Sequence, residues 1–247
     1  MKNLISKLNE DGYIVVKKLF SSRTILKLKK SYEKSLDYCL RLKDYNYRSL
    51  NLDQKYLFLE KVNPNLKSRS YDISKFHPSM YHEVLKNKKF LKILKEILSE
   101  EYFIDYPQIR ADDMSNSRML PMHQELYGQL SHNLITLWLP LTDVSKKNGT
   151  ICIIKKSHTL GPLKHRFYYL NGSPYHGVEK KFIKNKNFSY LNIKAGDAVL
   201  FGPNLIHGTS KNNSNKIRWT YVARFNGISG ISYLKNKKSS LRISQSN

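Results

Sequence analysis

The chain has 247 residues, of which 43 are lysine or arginine and 19 are aspartate or glutamate, so its formal net charge is +24. Its length allows one large hydrophobic core, and its hydrophobic content of 40% is ordinary for a folded domain. No apolar run reaches the roughly 18 residues that a membrane span needs.

The first hundred residues predict a helix-rich region. A short helix is expected before a strand at 13–16, and apolar residues at helical spacing predict two longer helices, 24–38 and 80–99. The segment 40–72 between them is polar and rich in tyrosine, and it shows no clear period; Pro64 interrupts it. We expect this region to support the remainder of the fold.

From about residue 102 the apolar period changes to two, which is typical of strands. The segments with this period are short, rich in β-branched residues and bounded by glycine turns: 134–141, 151–154, 198–201 and 217–225. Several such strands after a helical region predict a double-sheet jelly roll supported by helices, a mainly β fold of the α+β class. We expect a single domain over 1–247, with helical support at 1–100 and the jelly roll at 101–228.

Two further segments are predicted to lack regular structure. The basic, aromatic stretch 161–187 contains several glycines and prolines and is expected to be a long loop, which in a compact domain is often a functional lid. The segment 229–247 is expected to be a basic, polar tail.

The tripeptide His123-Gln124-Glu125, followed far downstream by His207, is the first candidate site. If the tripeptide lies on a strand, His123 and Glu125 point to the same side and Gln124 points away. Two imidazoles and one carboxylate, with positions left open, form the ligand set of a non-haem Fe(II) oxygenase. The alternative is a surface histidine and glutamate on a strand, with His207 a hydrogen-bonded loop residue.

Arg218 begins the last predicted strand and is the second candidate. Residues Arg218, Thr220, Val222 and Arg224 share one face of that strand. An arginine that points inward needs an anionic partner, and a guanidinium group matches a carboxylate with two hydrogen bonds. Arg218 is therefore a candidate anchor for the carboxylate of a co-substrate.

A series of motifs in fixed order connects these residues. They are 9–16 (NEDGYIVV), 123–125 (HQE), 137–143 (LWLPLTD), 148–150 (NGT), 157–158 (SH), 195–197 (AGD), 207–209 (HGT) and Arg218. In this order they resemble the phytanoyl-CoA dioxygenase family of Fe(II)- and 2-oxoglutarate-dependent oxygenases, from about residue 8 to residue 225. The resemblance implies a double-stranded β-helix and a hydroxylase that consumes O2 and releases succinate and CO2.

The same resemblance assigns roles to individual residues. His123, Glu125 and His207 would bind Fe(II). The family usually has aspartate where this chain has Glu125, and this places metal affinity or activity in question. A carboxylate is nevertheless present at this position, which argues against a halogenase.

For 2-oxoglutarate, the resemblance implies a pocket beside the metal. Arg218 would bind the distal carboxylate, and the hydroxyl group of Thr209 would assist. Trp138 and Gln124 would line this co-substrate pocket.

Candidate substrate contacts are polar or aromatic residues near the metal motif and in the predicted loop: Tyr127, His165, Arg166, Tyr168, Tyr169, His176 and Arg224. The alternative for the loop residues is a solvated basic surface. Arg110 and Arg118 precede the metal motif, and the sequence favours positions outside the pocket for both. His158 is expected to support the site rather than to take part in it.

The large net charge predicts an anionic partner. Beyond Thr150 the only acidic residues are Glu179 and Asp197. The charge favours a phosphorylated or nucleotide-linked substrate, an acidic polysaccharide, nucleic acid or an anionic membrane. Alternatively it reflects composition alone, because lysine, asparagine and isoleucine are frequent throughout.

Three functions follow as hypotheses. The first is a hydroxylase of an anionic or conjugated small metabolite, such as an acyl thioester, a phosphorylated compound or a nucleotide-linked sugar. The second is an oxygenase that acts on nucleic acid, which the dispersed lysines make less favoured. The third is a non-catalytic binding module, for which Glu125 is the only support.

The start of the chain and its cysteines predict a cytoplasmic setting. Glu10 and Asp11 interrupt the region in which a secretory signal would need a continuous apolar stretch. Cys39 and Cys152 are too few and too far apart for a disulfide framework or a cysteine-rich zinc site.

Overall fold

The structure is a computed structural model, and it describes residues 2–99, 101–105, 107–114, 121–125, 131–170 and 173–230. The helices in these ranges are α1 (Lys2–Asp11), α2 (Ser22–Arg41), α3 (Leu52–Val62), α4 (Pro64–Lys75), α5 (Ser79–Leu85) and α6 (Lys88–Leu98). The predicted helix 24–38 is present as the longer α2. None of the described helices has the length and apolarity needed to cross a membrane.

Local capping explains where the helices begin. Ser21 caps α2, since its side chain accepts a hydrogen bond from the backbone N–H of Thr24. Asn63 separates α3 from α4 by capping α4, and Pro64 occupies the first turn of that helix, where a missing N–H costs nothing. The undetermined segment 40–72 thus contains α3 and most of α4.

The prediction of one helix over 80–99 is wrong, because Asn87 divides it. Its Oδ1 accepts a hydrogen bond from the N–H of Phe90 at 3.0 Å and caps α6. Its Nδ2 donates to the carbonyl oxygen of Leu19 at 2.7 Å. Asparagine favours such a cap over a helix interior, because its side chain competes for backbone hydrogen bonds.

The strands are β1 (Tyr13–Val16), β2 (Tyr102–Ile104), β3 (Gln108–Asp112), β4 (Leu134–Pro140), β5 (Ile151–Ile153), β6 (His165–Leu170), β7 (Ser173–Val178), β8 (Ser189–Tyr190), β9 (Ala198–Phe201), β10 (His207–Thr209) and β11 (Arg218–Gly227). The main sheet has the order β1-β9-β4-β11-β2, and β3 also pairs with β11. A second sheet has the order β10-β5-β8. All these pairs are antiparallel, and the predicted fold class is confirmed.

The main sheet has two buried faces, and strand alternation assigns the residues to them. Along β11, Trp219 and Tyr221 belong to the core shared with the helices, as do Leu137 and Leu139 of β4. Trp138 and Val222 belong to the core between the main sheet and the second sheet. The helices therefore cover one face of the main sheet, and the other face is left for the interior of the jelly roll.

The prediction of a long loop over 161–187 is wrong. Within it, β6 and β7 form a two-stranded antiparallel hairpin in which His165 pairs with Val178 and Leu170 with Ser173. Pro174 and Gly177 indicate a loop by composition, yet a two-stranded hairpin has free edges at which proline is tolerated. Residues 231–247 of the predicted tail lie outside the described part of the chain.

Cys39 and Cys152 are both buried and free. The cytoplasmic setting and the single-domain organisation stay predictions.

Candidate metal and co-substrate site

The structure brings His123, Glu125 and His207 together. The backbones of His123 and His207 form an antiparallel bridge with reciprocal N–H to carbonyl hydrogen bonds of 2.8 and 3.0 Å. Oε1 of Glu125 lies 3.3 Å from Nε2 of His207 and 4.0 Å from Nε2 of His123. Ligand atoms bound about 2.0–2.2 Å from one metal ion lie roughly 3 Å apart, so these three side chains fit a metal ion.

The local backbone differs from the one predicted. His123 forms only the isolated bridge, and Glu125 lies in a turn in which its N–H donates to the carbonyl oxygen of Pro203 at 2.9 Å. His207 begins β10 and does not lie in a turn before it. The expected strand at 123–125 is therefore corrected, although the side chains still converge.

Hydrogen bonds set the tautomer of both imidazoles. Nδ1 of His123 lies 2.7 Å from the carbonyl oxygen of Pro121, and Nδ1 of His207 lies 3.0 Å from that of Leu205. A carbonyl oxygen only accepts hydrogen bonds, so each Nδ1 carries the proton and each Nε2 keeps a lone pair for a metal ion.

The ionisation states also suit a metal ion. Burial, together with neighbouring His207, lowers the pKa of His123 to about 3, so the ring is neutral at pH 7. Burial alone would raise the pKa of Glu125, but the Arg224 guanidinium holds it well below the usual range. A neutral imidazole and an ionised carboxylate are the forms in which these side chains bind metals.

Arg224 occupies one oxygen of the Glu125 carboxylate. Its Nε donates to Oε2 at 2.6 Å, which leaves Oε1 directed at the two imidazoles. The structure therefore favours a glutamate that binds a metal through a single oxygen.

Arg218 has free hydrogen-bonding capacity beside this centre. Its side chain is 3% exposed and its Nη2 donates to Oδ2 of Asp112. Within the described residues, Nε and Nη1 of Arg218 have no partner. Two buried donor nitrogens without acceptors are costly and fit a carboxylate ligand.

One cavity of about 510 Å³ joins the triad to Arg218. Its walls come from the inner face of the main sheet, from α3 and α4, from β5 and β10 and from the β6–β7 hairpin. Among the lining residues are Tyr71, Arg110, Asp112, Thr136, Trp138, Ile151, His176, Phe201, Thr209, Thr220, Val222 and Arg224. This volume is in the range of small-molecule sites.

A family model described as phytanoyl-CoA dioxygenase (PhyH) matches residues 8–220, which is more than half of the chain. The chain belongs to this family. It is 24% identical to the peroxisomal phytanoyl-CoA dioxygenase of Bos taurus over 232 residues, and 23% identical to that of Homo sapiens over 225 residues. Each alignment covers 87% of this chain and 65% of the relative, so the chain spans just under two thirds of these relatives.

Solved structures show the same fold. EctD from S. alaskensis, solved with 2-oxoglutarate and 5-hydroxyectoine, has a TM-score of 0.65 and 15% identity, and the match covers 93% of this chain and 77% of that one. AviO1 from Streptomyces viridochromogenes Tue57 has a TM-score of 0.63 and 14% identity, with 93% and 96% covered. At such identity the likeness establishes the fold alone.

Several residues predicted for this PhyH-family site line the cavity. Thr209 and Trp138 line the cavity beside Arg218. Arg224 also lines it, although its hydrogen bond to Glu125 makes it a neighbour of the metal ligands and not a free substrate contact.

The prediction that Gln124 lines the co-substrate pocket is corrected, because its side chain faces away from the cavity. Its Nε2 donates to the carbonyl oxygens of Gly161 and Asn204 at 2.9 and 2.7 Å, and its Oε1 accepts from the N–H of Leu163 at 2.8 Å. A side chain with three such bonds fixes backbone position.

Most of the residues predicted to contact the substrate are also placed elsewhere by the structure. Nε2 of His165 accepts from the N–H of Gln124 at 3.0 Å, so this ring supports the metal loop. Arg166 is bound to Glu179, and the hydroxyl group of Tyr168 donates to the carbonyl oxygen of Val178; neither lines the cavity. Tyr169 is 73% exposed.

His176 lines the cavity as predicted, and Tyr127 and Arg118 lie outside the described residues. His158 bonds through Nε2 to the carbonyl oxygen of Asn9, in keeping with a supporting role.

Sequence reasoning missed the wall contributed by α4. Lys67, Tyr71 and Lys75 follow one another at spacings of four and line the cavity. Their spacing is a helical signal, but the segment lacked the apolar stripe that marks a helix. Arg110 and Asp112 on β3 also line the cavity, contrary to the position expected for Arg110.

Proposed function

We propose that this protein is an Fe(II)- and 2-oxoglutarate-dependent dioxygenase that hydroxylates an anionic small metabolite, with release of succinate and CO2. One observation supports this most strongly: within the described residues, Nε and Nη1 of the buried Arg218 lack acceptors, and Arg218 lines the cavity that also contains His123, Glu125 and His207. Family membership supports the same activity.

Each part of the site has a defined task in this proposal. His123, Glu125 and His207 would hold Fe(II), and Arg218 with Thr209 would hold the distal carboxylate of 2-oxoglutarate. The bound ion and co-substrate supply the oxidising chemistry, in which O2 converts 2-oxoglutarate to succinate and CO2 and hydroxylates the substrate.

The protein contributes position and exclusion of water. Nδ1–H bonds orient both imidazoles, and Arg224 orients the carboxylate of Glu125. Trp138 and Phe201 supply apolar walls. Such walls strengthen the ionic contacts inside the site, because they lower the local dielectric constant.

The positive lining supports an anionic substrate. Three arginines line the cavity, Arg110, Arg218 and Arg224, against the carboxylates of Asp112 and Glu125. The cavity volume of about 510 Å³ favours a small molecule over a nucleic-acid strand.

The experiment is to incubate the protein with Fe(II), O2 and 2-oxoglutarate and to measure succinate. In a second assay, Fe(II) and 2-oxoglutarate are added without oxygen, and the charge-transfer absorption of the complex is titrated. We expect Arg218→Gln to weaken 2-oxoglutarate binding by roughly tenfold or more, because it removes a charge-assisted pair. Arg166→Gln is the control, since this arginine is bound to Glu179 outside the cavity.

The proposal fails if the wild-type protein shows neither succinate release nor charge-transfer absorption. If the protein binds 2-oxoglutarate but releases no succinate with any substrate, it is a binding module on the same fold.

A further inference from the structure

Arg110 lies on the cavity face of β3. It pairs in register with Thr220 of β11, and Asp112, two residues along the strand, points the same way. Arg110 and Asp112 both line the cavity, and the Arg110 side chain is largely uncovered within it. Its guanidinium group is therefore presented to whatever the cavity holds.

The carboxylates near Arg110 already have other partners. The acids that act on it electrostatically are Asp112 and Glu125. Asp112 is bound by Arg218 and Glu125 by Arg224. In the described part of the chain, no ion pair or hydrogen bond joins Arg110 to an acid, and the stretches 115–120 and 126–130 contain no aspartate or glutamate.

Among the described residues, the lysines that line the cavity are paired with acids, whereas Arg110 is not. Lys67 forms an ion pair with Glu60, and Lys75 forms one with Asp72 at 2.8 Å. Both lysines belong to α4.

Bound Fe(II) and 2-oxoglutarate would not neutralise the positive charge of Arg110. The ion carries two positive charges and the co-substrate two negative ones. One carboxylate of 2-oxoglutarate belongs with the metal and the other with Arg218.

We propose that Arg110 binds an anionic group of the substrate, a carboxylate or a phosphate, inside the cavity beside the metal site. This inference rests on the proposed function and narrows its substrate class. The substrate is then a compact acid whose charge lies near the carbon that reacts. A conjugate whose charges lie far from that carbon does not satisfy Arg110.

The test uses the full chain loaded with Mn(II) and 2-oxoglutarate without oxygen, a complex that does not turn over. Inorganic phosphate, propionate and the neutral analogue propionamide are titrated into it by calorimetry. The proteins compared are wild type, Arg110→Gln, Arg110→Lys and the control Lys75→Gln, which removes a paired cation of the same cavity.

We expect the wild type to bind an anion in preference to propionamide. Arg110→Gln weakens that binding by roughly tenfold or more, Arg110→Lys weakens it less, and Lys75→Gln changes it by less than about twofold. Tighter binding of phosphate than of propionate indicates a phosphorylated substrate, and the reverse order indicates a carboxylic acid. Circular dichroism confirms that each variant is folded.

Any of four results overturns the inference. Two concern anion binding itself: the wild type shows no preference for an anion over propionamide, or Arg110→Gln binds the anion as tightly as the wild type. The other two concern specificity: Lys75→Gln loses as much anion affinity as Arg110→Gln, or Arg110→Gln loses as much 2-oxoglutarate affinity as Arg218→Gln. The proposed function has a separate readout, because 2-oxoglutarate binding is measured before any anion is added. If that binding is intact and the anion binding is insensitive to residue 110, only the present inference fails.

Discussion

Nε of Arg224 lies 2.6 Å from Oε2 of Glu125, so an arginine on β11 holds the one carboxylate of the candidate metal site. The other oxygen, Oε1, lies 3.3 Å from Nε2 of His207. The longer side chain of glutamate reaches the two imidazoles and Arg224 at the same time. Glu125, which stands where aspartate is expected from the resemblance, is therefore matched by Arg224 within the same chain.

The first prediction concerns this pair. Arg224→Gln weakens Mn(II) binding by roughly tenfold, because the partners of metal ligands commonly contribute 10- to 100-fold in affinity. In a Glu125→Asp background the same change costs less than about threefold, since the shorter carboxylate no longer reaches residue 224. Mn(II) titrations followed by electron paramagnetic resonance give the four dissociation constants. Equal losses in the two backgrounds would contradict a specific contact.

Asp112 is expected to orient Arg218. Its Oδ2 accepts from Nη2 and leaves Nε and Nη1 without a partner among the described residues. Asp112→Asn therefore raises the Michaelis constant for 2-oxoglutarate by about three- to tenfold, because a neutral amide holds the guanidinium group less firmly. Asp72→Asn, which changes the partner of Lys75, is the control and leaves this constant unchanged. An unchanged constant in Asp112→Asn would show that Arg218 is positioned by packing alone.

Gln124 is predicted to stabilise the metal loop without contacting 2-oxoglutarate. Gln124→Leu removes three hydrogen bonds from a buried side chain to partly buried backbone groups and lowers the free energy of unfolding by about 2–4 kcal/mol. The same substitution also lowers the affinity for the metal ion, because it loosens the loop that carries His123 and Glu125. The affinity of the metal-loaded variant for 2-oxoglutarate stays within about twofold of wild type. Denaturant unfolding and the charge-transfer titration measure the two effects. A specific loss of 2-oxoglutarate affinity would instead restore the role expected from the sequence.

Asp197 gives a pH-dependent prediction. Its buried carboxylate accepts from Nζ of Lys17 at 2.9 Å and from the N–H of Lys18 at 2.8 Å, which ties β9 to the end of β1. Burial would raise the pKa of Asp197, but these donors hold it below the usual value. The folded state therefore favours the ionised form, and the stabilisation is present above the unfolded pKa of about 3.9 and is lost as the pH falls through the folded pKa.

Asp197→Asn is accordingly expected to lower the free energy of unfolding by about 1–3 kcal/mol at pH 7, with a smaller difference below about pH 3. Denaturant unfolding at a series of pH values measures it. Lys17→Gln, at the exposed end of the pair, costs less than about 1 kcal/mol. A difference that stayed constant from pH 7 to the acid range would show that the charge of Asp197 is not involved.

The sequence by itself determined much of this molecule. Short apolar and β-branched runs marked β4, β9 and β11 to within two residues, because a strand that is buried on both faces has a nearly continuous apolar sequence. The chemical types of His123, Glu125, His207 and Arg218 were sufficient to predict a metal and carboxylate site. Their convergence follows from the bridge between His123 and His207 and from the face that Arg218 shares with Arg224.

Only the tertiary structure decided which other residues surround that site. Gln124 lies between two of the candidate metal ligands in sequence, and His165 is of a residue type that is common in such sites. Both nevertheless bond to backbone groups outside the cavity. Nothing in the local sequence marks Tyr71 and Arg110 as residues of this site, yet α4 and β3 place them on its wall. The physical reason is that periodicity records which residues of an element are buried, whereas the lining of a cavity depends on which elements pack over it.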